Sequence, residues 1–231
     1  LAQGYFASIG FARVNYGFTR FRGSRSIGDP DDALYLTSGS EAYATAYFRN
    51  GFYAKTPAYR WAQQNEGACT WAWVREAFLA GKLSPDEAAT VQQNAAMGIV
   101  AGISVSFPEN SARAKGAMGL IADAGLDVAA VDHIFAERRD ELLSVAHMLH
   151  LKLIQLPFPS RRSLTARQRE ALEWVADGKT TQDVALLMGV SAAMVEKHLR
   201  LAREALAVDT TAQAVAKATL MNLIFQRNPA D

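Results

Sequence analysis

The segment from residue 164 to residue 206 constrains the fold more than any other part of this 231-residue chain, because signals for helix starts and stops recur in it at short intervals. Thr165, with Gln168 three residues later, forms a capping box and predicts a helix from Ala166. Gly178 ends that helix, because glycine favours the backbone conformation that follows a helix end. The segment therefore opens with one short helix whose two ends are both marked.

Two further helices follow in the same segment. Thr180 or Thr181 caps the second helix, and Gly189 permits a tight turn after it. Ser191 then caps a third helix that begins at Ala192. Two helices joined by a short turn that contains glycine form a helix-turn-helix unit, and the second of them enters the major groove of DNA.

The third predicted helix has an apolar face and a charged face. Val195, Leu199, Ala202 and Leu206 follow one another at intervals of four, three and four residues. This is the spacing of an apolar stripe that is buried on one side of a helix. The other face carries Ala193, Glu196, Lys197, Arg200 and Arg203. A solvated face on an ordinary three-helix bundle would show the same period, but caps, turn glycine and basic face occur together here, which favours DNA binding. The predicted DNA-contacting residues are Lys179, Thr181, Lys197, Arg200 and Arg203.

These residues resemble the DNA-binding domain of LuxR-type (GerE-type) transcription regulators. The match is dense and ungapped, and it includes Leu164, Thr165, Arg167, Glu170, Leu172, Ala176, Gly178, Lys179, Thr180, Val184, Ala185, Ser191, Val195, His198, Ala202 and Leu206. The departures are Gln168, Met194, Glu196 and Ala205. The resemblance implies a small all-α helix-turn-helix domain over residues 164–231 that binds double-stranded DNA. Because Glu196 adds a negative charge and Ala205 lacks a positive one, we expect weaker phosphate contact than in the family.

Charge and cysteine content restrict the remaining possibilities. The net charge is +1, with −1 over residues 1–156 and +2 over residues 157–231, so DNA recognition must be local rather than the result of a general cationic field. The single cysteine, Cys69, allows no internal disulfide and no multi-cysteine zinc site. The longest apolar run, near residues 95–105, is too short and too rich in glycine to span a membrane. We therefore expect a reduced, cytoplasmic protein with no membrane partner.

Residues 1–156 mix strand and helix signals, and residues 157–163 are predicted to be the linker. Alternation and turn residues predict strands at residues 11–21 and 33–37, and a hairpin formed by residues 98–108 and 114–123. Helices are predicted from Ser40, from Ser84 to about Met97, and from Asp127 to about Leu156. The long last helix has a wide apolar stripe that includes Val131, Phe135, Leu142, Val145 and Leu149. The predicted fold is α+β, an antiparallel sheet flanked by helices, followed by the all-α domain.

An aromatic group in this first region resembles the ligand site of the autoinducer-binding domain of the same LuxR-type family. The ungapped equivalents of the family's Trp, Tyr, Asp-Pro and Trp are Tyr43, Tyr47, Thr56-Pro57 and Trp71, so the first Trp and the Asp have changed. In the family the Trp donates to the lactone carbonyl of an N-acyl-homoserine lactone, and the Asp accepts from its amide. Tyr43 retains a donor, whereas Thr56 offers only a neutral hydroxyl.

The change at Thr56 predicts either a different ligand or a vestigial pocket. A hydrogen bond to a charged group contributes roughly 1.5–3 kcal/mol and a neutral one about 0.5–1.5, so acyl-homoserine lactone affinity should fall by at least about tenfold. The alternative is that these aromatic residues simply form a core. Four family positions at the family spacing favour a pocket, with ligand contacts predicted from Tyr43, Tyr47, Tyr53, Thr56 and Trp71. The expected ligand is largely apolar and carries an acceptor that faces Tyr43.

No catalytic, cofactor or metal motif emerges. The sequence contains no nucleophile elbow, P-loop or dinucleotide fingerprint, so no cofactor is expected. His147 and His150 are three residues apart on a helix, but without a third ligand they are interpreted as solvated or interfacial histidines. An enzyme is therefore not expected.

Two functions remain open. The first is a ligand-responsive transcription regulator that acts as a homodimer. The dimer is predicted from the wide stripe on the helix after Asp127 and from apolar residues of a final helix, residues 211–225. The second is a homologue with impaired DNA binding that acts by forming mixed dimers with another regulator, and Glu196 and Ala205 keep this alternative open.

Overall fold

The chain is described here as a computed structural model over residues 1–23, 27–157 and 163–225. Its contacts divide it into two units: one contains residues 1–27 and 34–153, and the other residues 28–33 and 154–231. Most of the predicted linker, residues 158–162, lies outside the described residues, so the predicted domain bounds stay a prediction. No described helix is both long enough and apolar enough to cross a membrane.

The first unit contains a five-stranded sheet in the order β2-β1-β5-β4-β3, and every neighbouring pair is antiparallel. The strands are β1 (Arg13–Thr19), β2 (Leu34–Thr37), β3 (Gly67–Thr70), β4 (Gly102–Ser106) and β5 (Lys115–Ile121). The predicted antiparallel sheet and the β4–β5 pairing are confirmed. Sequence analysis missed β3, because its four residues, GACT, contain no alternation of large apolar and polar side chains.

Helices cover the sheet. The helices of this unit are α1 (Ala2–Ser8), α2 (Glu41–Ala44), α3 (Pro57–Gln64), α4 (Ala72–Leu79), α5 (Pro85–Ala96) and α6 (Val128–Leu153). A π turn over Thr45–Arg49 continues α2, and short 3₁₀ turns precede β2 and α3. One sheet face buries Tyr16, Phe18, Ile103, Val105, Met118 and Leu120, and α6 and α1 lie on that side. The other face is lined by small or polar residues, and α3 packs over it.

The buried face of helix α6 differs from the apolar stripe that the sequence predicted. Asp127 caps it as expected, since its Oδ1 accepts from the amide of Ala130 at 2.9 Å. The helix ends at Leu153, and Arg138 interrupts its regular dihedral angles with φ −119°. This break shifts the buried face, so that Ala146 and His150 are buried while the predicted Val145 and Leu149 are only partly covered.

The second unit is all-α, as predicted. Its helices are α7 (Ala166–Ala176), α8 (Thr181–Met188), α9 (Ala192–Leu206) and α10 (Thr211–Leu220). The predicted stripe on α9 is confirmed, because Val195, Leu199, Ala202 and Leu206 are all buried. Helix α10 ends before the predicted Phe225, since Asn222 takes a positive φ of 53° just after it.

The apolar residues of α10 do not form the surplus surface that the sequence suggested. Ala214, Ala218 and Ile224 belong to the core of this unit, and Met221 is also buried. Among the residues that the structure describes near this end, Leu220 and Phe225 are the large exposed apolar side chains. The dimer prediction therefore loses this part of its support.

Candidate functional site

In the first unit, a cavity lies between α3 and the sheet face that carries small and polar residues. Its floor consists of small side chains, because the strand register aligns Asn15 with Gly119 and Ser104, and Gly17 with Ala117. The volume that the centre of a water-sized sphere can reach is about 120 Å³, far more than the roughly 10–15 Å³ that one water requires. A cavity of this size on small residues suits an organic ligand of several heavy atoms.

The wall of the cavity is aromatic, and most of it comes from the segment between β2 and β3. The aromatic residues that line the cavity are Tyr16 on β1, Tyr35 on β2, Trp71 just after β3 and, between β2 and β3, Tyr43, Tyr47, Phe48, Tyr53 and Tyr59. Tyr43 and Tyr47 stack with their ring centroids 5.3 Å apart and 13° between the ring planes. Their four-residue spacing places both rings on the same side of the helical turn. Such a wall favours an apolar ligand with flat or flexible parts.

One end of the cavity is polar and ordered. Asn15 is buried, and its Nδ2 donates to Tyr43 Oη at 2.8 Å while its Oδ1 accepts from Thr37 Oγ1 at 2.7 Å. Burial raises the pKa of Tyr43 and of Tyr47, so both phenols stay protonated. Tyr43 accepts one bond from Asn15 and keeps its own O–H as a donor for a ligand carbonyl.

Trp71 is also held in place beside this end. Its Nε1 donates to Ser104 Oγ at 2.9 Å. A side chain at Gly102 would bring a Cβ to 2.9 Å from the Trp71 ring, so glycine at that position leaves room for the indole. Because the indole N–H already has an acceptor, Trp71 contributes an apolar surface to the cavity.

Thr56 is not among the residues that line the cavity. It is buried and caps α3: its Oγ1 accepts from the amide of Tyr59 at 3.2 Å and donates to the carbonyl of Tyr53 at 2.7 Å. The structure therefore brings Tyr43, Tyr47, Tyr53 and Trp71 of the predicted ligand group to the cavity. The hydroxyl of Thr56 is engaged by the backbone and also interacts with the phenol of Tyr47.

Sequence analysis did not identify Asn15, Ser104 or Lys115 as cavity residues. Each lies on a strand far in sequence from the aromatic segment, and only the strand register brings them to the cavity. The available signal was a polar residue between the large apolar residues of a strand, as Asn15 lies between Val14 and Tyr16 in RVNYGFT.

The second candidate site is the helix-turn-helix. Thr165, Thr180 and Ser191 each accept a hydrogen bond from a backbone amide three residues later, which confirms the predicted helix starts. Gly178 and Gly189 both have a positive φ, 81° and 66°, at the helix ends where the sequence placed them. The unit thus presents α9 on a short, fixed scaffold.

The cations of α9 have different surroundings. Lys197 and Arg200 are exposed, and Arg200 pairs with Glu204 one turn later on the same helix. Arg203 is half-buried, and its Nη1 donates to Thr211 Oγ1 at 2.9 Å. Lys197 and Arg200 are therefore available for phosphate or base contact, whereas Arg203 also fixes the start of α10.

Glu196 contacts the helix before it. Its Oε1 accepts from Thr181 Oγ1 at 2.9 Å, so two residues singled out by the sequence form a hydrogen bond between α8 and α9. Lys179 is exposed just before α8. The predicted DNA-contacting residues thus lie on and around one helix surface, with one carboxylate among them.

The histidine interpretation needs correction. His150 is buried and exchanges a hydrogen bond with Tyr16 Oη through its Nδ1 at 2.9 Å, and its Nε2 lies 3.4 Å from Glu109 Oε1. Burial lowers the pKa of His150 to about 4, so the ring is neutral at pH 7. It is therefore not a solvated histidine. Within the described residues no group of three or more potential ligands could hold a metal ion.

Two family models match the chain. Residues 1–153 match the family described as "Autoinducer binding domain", and residues 162–206 match "Sigma-70, region 4".

Two named relatives match in part. The chain is 31% identical over 129 residues to "Transcriptional activator protein SolR" of Ralstonia nicotianae, covering 53% of this chain and 54% of SolR. It is 34% identical over 85 residues to "HTH-type quorum sensing-dependent transcriptional regulator RpaR" of Rhodopseudomonas palustris, covering 36% of this chain and 35% of RpaR. The matched regions thus span about half or less of these relatives.

The chain also aligns with solved structures. Escherichia coli SdiA aligns with a TM-score of 0.46 at 16% identity over 97% of this chain and 89% of that one. CepR2 from Burkholderia cenocepacia aligns with a TM-score of 0.47 at 18% identity over 65% and 79%.

Proposed function

We propose that this chain regulates transcription in response to a small, largely apolar signal molecule. The chain belongs to the LuxR-type family of quorum-sensing transcription regulators with an autoinducer-binding domain. The observation that carries the proposal is the aromatic cavity with the Asn15–Tyr43 pair at its polar end. A ligand carbonyl would accept from Tyr43 Oη, and the rest of the ligand would lie against the aromatic wall.

We further propose that an ordinary acyl-homoserine lactone is not the preferred ligand. The ligand amide would need an acceptor at position 56, and the Thr56 hydroxyl already serves the backbone. An unpaired amide costs about 1–3 kcal/mol on burial. The preferred ligand therefore has an acceptor for Tyr43 and no amide donor that must be met at Thr56.

Thermal shift with a panel of acyl-homoserine lactones and neutral apolar compounds tests this proposal. Asp can still accept the capping bond from the Tyr59 amide, although it loses the bond that Thr56 donates to the Tyr53 carbonyl. Thr56→Asp should therefore gain response to the lactones, and its unfolding free energy is measured beside the wild type. Thr56→Ser, which keeps a neutral cap, is the matched control and should respond as the wild type does. A ligand at 100 times its Kd stabilises the protein by about 2.7 kcal/mol, which gives a visible shift. A strong wild-type response to lactones that Thr56→Asp abolishes would show that the proposal is wrong.

DNA binding is proposed to centre on Lys197 and Arg200. Arg200→Ala should weaken binding to DNA from upstream of the protein's own gene, and it should reduce the slope of log K against log salt by about one unit for each lost phosphate contact. Arg167→Ala removes the same charge from α7 and serves as the control. Arg203→Ala needs a parallel unfolding measurement, since it also removes the bond to Thr211.

A second function has specific support. Glu196 places a carboxylate on the proposed DNA surface, and Arg200 is paired with Glu204 rather than free. Both features reduce phosphate attraction, as expected for a homologue that acts through mixed dimers. If the purified chain shifts no DNA at low salt, with or without ligand, and prevents a LuxR-type regulator from binding DNA, this second function replaces the first.

A homodimer is proposed through the surface of α6. Met148 is 71% exposed and Leu151 is 55% exposed on that helix, and such side chains are favoured at interfaces. Sedimentation should show a dimer for the wild type and a monomer for the double variant Met148→Glu, Leu151→Glu. Leu79→Glu on α4, where Leu79 is 74% exposed, is the matched control and should remain a dimer.

A further inference from the structure

The ligand cavity has a second polar end, opposite the first. On β5, Gly119 lies beside Asn15, whereas Lys115 lies beside Thr19 at the far end of the same strand pair. Four residues of strand separate Gly119 from Lys115, which is about 13 Å at roughly 3.3 Å per residue. Asn15 and Lys115 both line the cavity, so a ligand that fills it would extend from one to the other.

The Lys115 end contains cations that face neutral acceptors. Lys115 Nζ donates to the carbonyl of Asn65 at 3.2 Å, and Arg22 Nη2 donates to the carbonyl of Gln63 at 3.0 Å. Gln63 lines the cavity as well. Among the described residues, the Lys115 ammonium group thus donates its hydrogen bond to an uncharged carbonyl.

The charge of Lys115 is incompletely compensated. Desolvation lowers the pKa of Lys115 and the charge of Arg22 acts in the same direction, although Glu66 and Glu109 both act to raise it. Lys115 is half-buried, and its ammonium group donates to a carbonyl rather than to either carboxylate. An anionic group beside Lys115 would supply the missing interaction, because a charge-assisted hydrogen bond is stronger than one to a carbonyl.

Helix capping is the competing explanation. Gln63 and Asn65 lie at the end of α3, where cations are favoured by the helix dipole. Capping would account for the two carbonyl contacts, but it does not require a lysine on the cavity floor. Lys115 lies in the same strand row as Ala117 and Gly119, where the neighbouring positions carry small or no side chains.

We propose that the ligand of this cavity is a two-ended amphiphile, with a neutral acceptor group at the Tyr43 end and an anionic group such as a carboxylate at the Lys115 end. This inference rests on the proposed ligand-binding function of the same cavity. It assigns Lys115 as a specificity-determining residue and selects acidic apolar molecules over their neutral esters.

The test uses two probes of equal length, the monomethyl ester and the dimethyl ester of a straight-chain α,ω-dicarboxylic acid, over a series of chain lengths at pH 7. Calorimetry with the full chain should show that the wild type prefers the monoester by about tenfold or more at the best length. Lys115→Met should abolish the preference and Lys115→Arg should retain most of it. Lys82→Met removes the same charge at an exposed position and should behave as the wild type does.

Three results would overturn the inference. The first is equal or tighter binding of the dimethyl ester by the wild type. The second is an unchanged preference in Lys115→Met together with a lower melting temperature, which would make Lys115 only a cap of α3. The third is no binding of either probe while neutral apolar compounds bind, which rejects the anionic end but leaves the proposed function intact. If no compound of any class binds and DNA binding responds to none, the proposed function fails as well.

Discussion

The two units of this protein satisfy their polar side chains over very different sequence distances. In the helix-turn-helix unit, Thr165 bonds with Gln168 and Thr180 with Asp183, three residues away, and Arg200 with Glu204, four residues away. In the ligand-binding unit, Asn15 reaches Tyr43 across 28 residues and Tyr16 reaches His150 across 134.

This difference predicts how each unit responds to substitution. Short-range bonds within one helix act nearly independently, so the effects of two changes should add. Buried bonds that connect several strands and helices share partners, so the loss of one group leaves another unpaired. The cavity should therefore behave as one coupled network. In the second unit, the bonds within single helices should act separately, and the Thr181–Glu196 and Arg203–Thr211 bonds connect neighbouring helices.

The largest expected effect is in the cavity network. Asn15→Leu removes a partner of Tyr43 and of Thr37, both half-buried, while Thr37 Oγ1 still accepts from the amide of Gly39. A loss of about 2 kcal/mol is therefore expected in urea unfolding. A double-mutant cycle with Tyr43→Phe should give a coupling of about 1 kcal/mol or more. The cycle of Thr165→Ala with Arg200→Ala in the other unit should be additive within about 0.5 kcal/mol. Equal coupling in both cycles would contradict the comparison.

The next effect is the pH dependence of the ligand-binding unit. Since burial lowers the folded-state pKa of His150 to about 4 from 6.5, the unfolded chain binds a proton first as the pH falls. The stabilisation is therefore complete above pH 6.5 and is lost between pH 6.5 and about 4. After discounting for solvent screening, the loss should be on the order of 1–2 kcal/mol. The control is His150→Gln, which retains a hydrogen-bonding group for Tyr16.

The neighbours of His150 modify this prediction. Burial also raises the pKa of Glu109, which regains a proton in the folded state first and so offsets part of the loss. His147 and Arg20 act in the same direction as burial on His150. The quantity to compare is thus the difference in unfolding free energy between the wild type and His150→Gln from pH 7 to pH 4. If this difference in unfolding free energy does not fall between pH 7 and pH 4, then His150 is charged in the folded protein and the prediction is wrong.

A smaller effect compares the same local motif in both units. Ser191 and Thr56 each cap a helix, and removing such a cap costs about 1 kcal/mol. Ser191→Ala should lower the unfolding free energy by this amount and leave ligand binding unchanged. Thr56→Ala should cost somewhat more because Thr56 is buried, and it should also weaken ligand binding through the displaced Tyr53 and Tyr59. If Thr56→Ala leaves ligand binding unchanged, as Ser191→Ala should, then α3 does not position the residues that bind the ligand.

The same contrast explains which features could be predicted from the sequence. Caps such as Ser191 and the stripe from Val195 to Leu206 depend on residues three or four apart, and both were predicted correctly. Asn15 and Lys115 reach the cavity only through the register of β1 with β5, about a hundred residues away along the chain. The register depends on the whole sheet, and no local pattern encodes it. Tyr43, Tyr47 and Trp71 were predicted through the resemblance to the family's ligand-site pattern, whereas Tyr35, Phe48 and Tyr59, which also line the cavity, were not in the predicted group.

The smallest expected effect concerns the carboxylate on the DNA-binding surface. Glu196→Gln removes the charge but keeps an oxygen that can accept from Thr181 Oγ1, so α8 and α9 should hold their positions. With the repulsion from phosphates removed, DNA binding should tighten by a factor of a few, and by the same factor for operator and unrelated DNA. Because the effect is electrostatic at an exposed position, it should disappear at high salt. Glu170→Gln on α7 makes the same charge change and should leave affinity unchanged. If Glu196→Gln instead weakens binding to the operator alone, the carboxylate accepts from a cytosine amine in the major groove, and Glu196 contributes to sequence recognition.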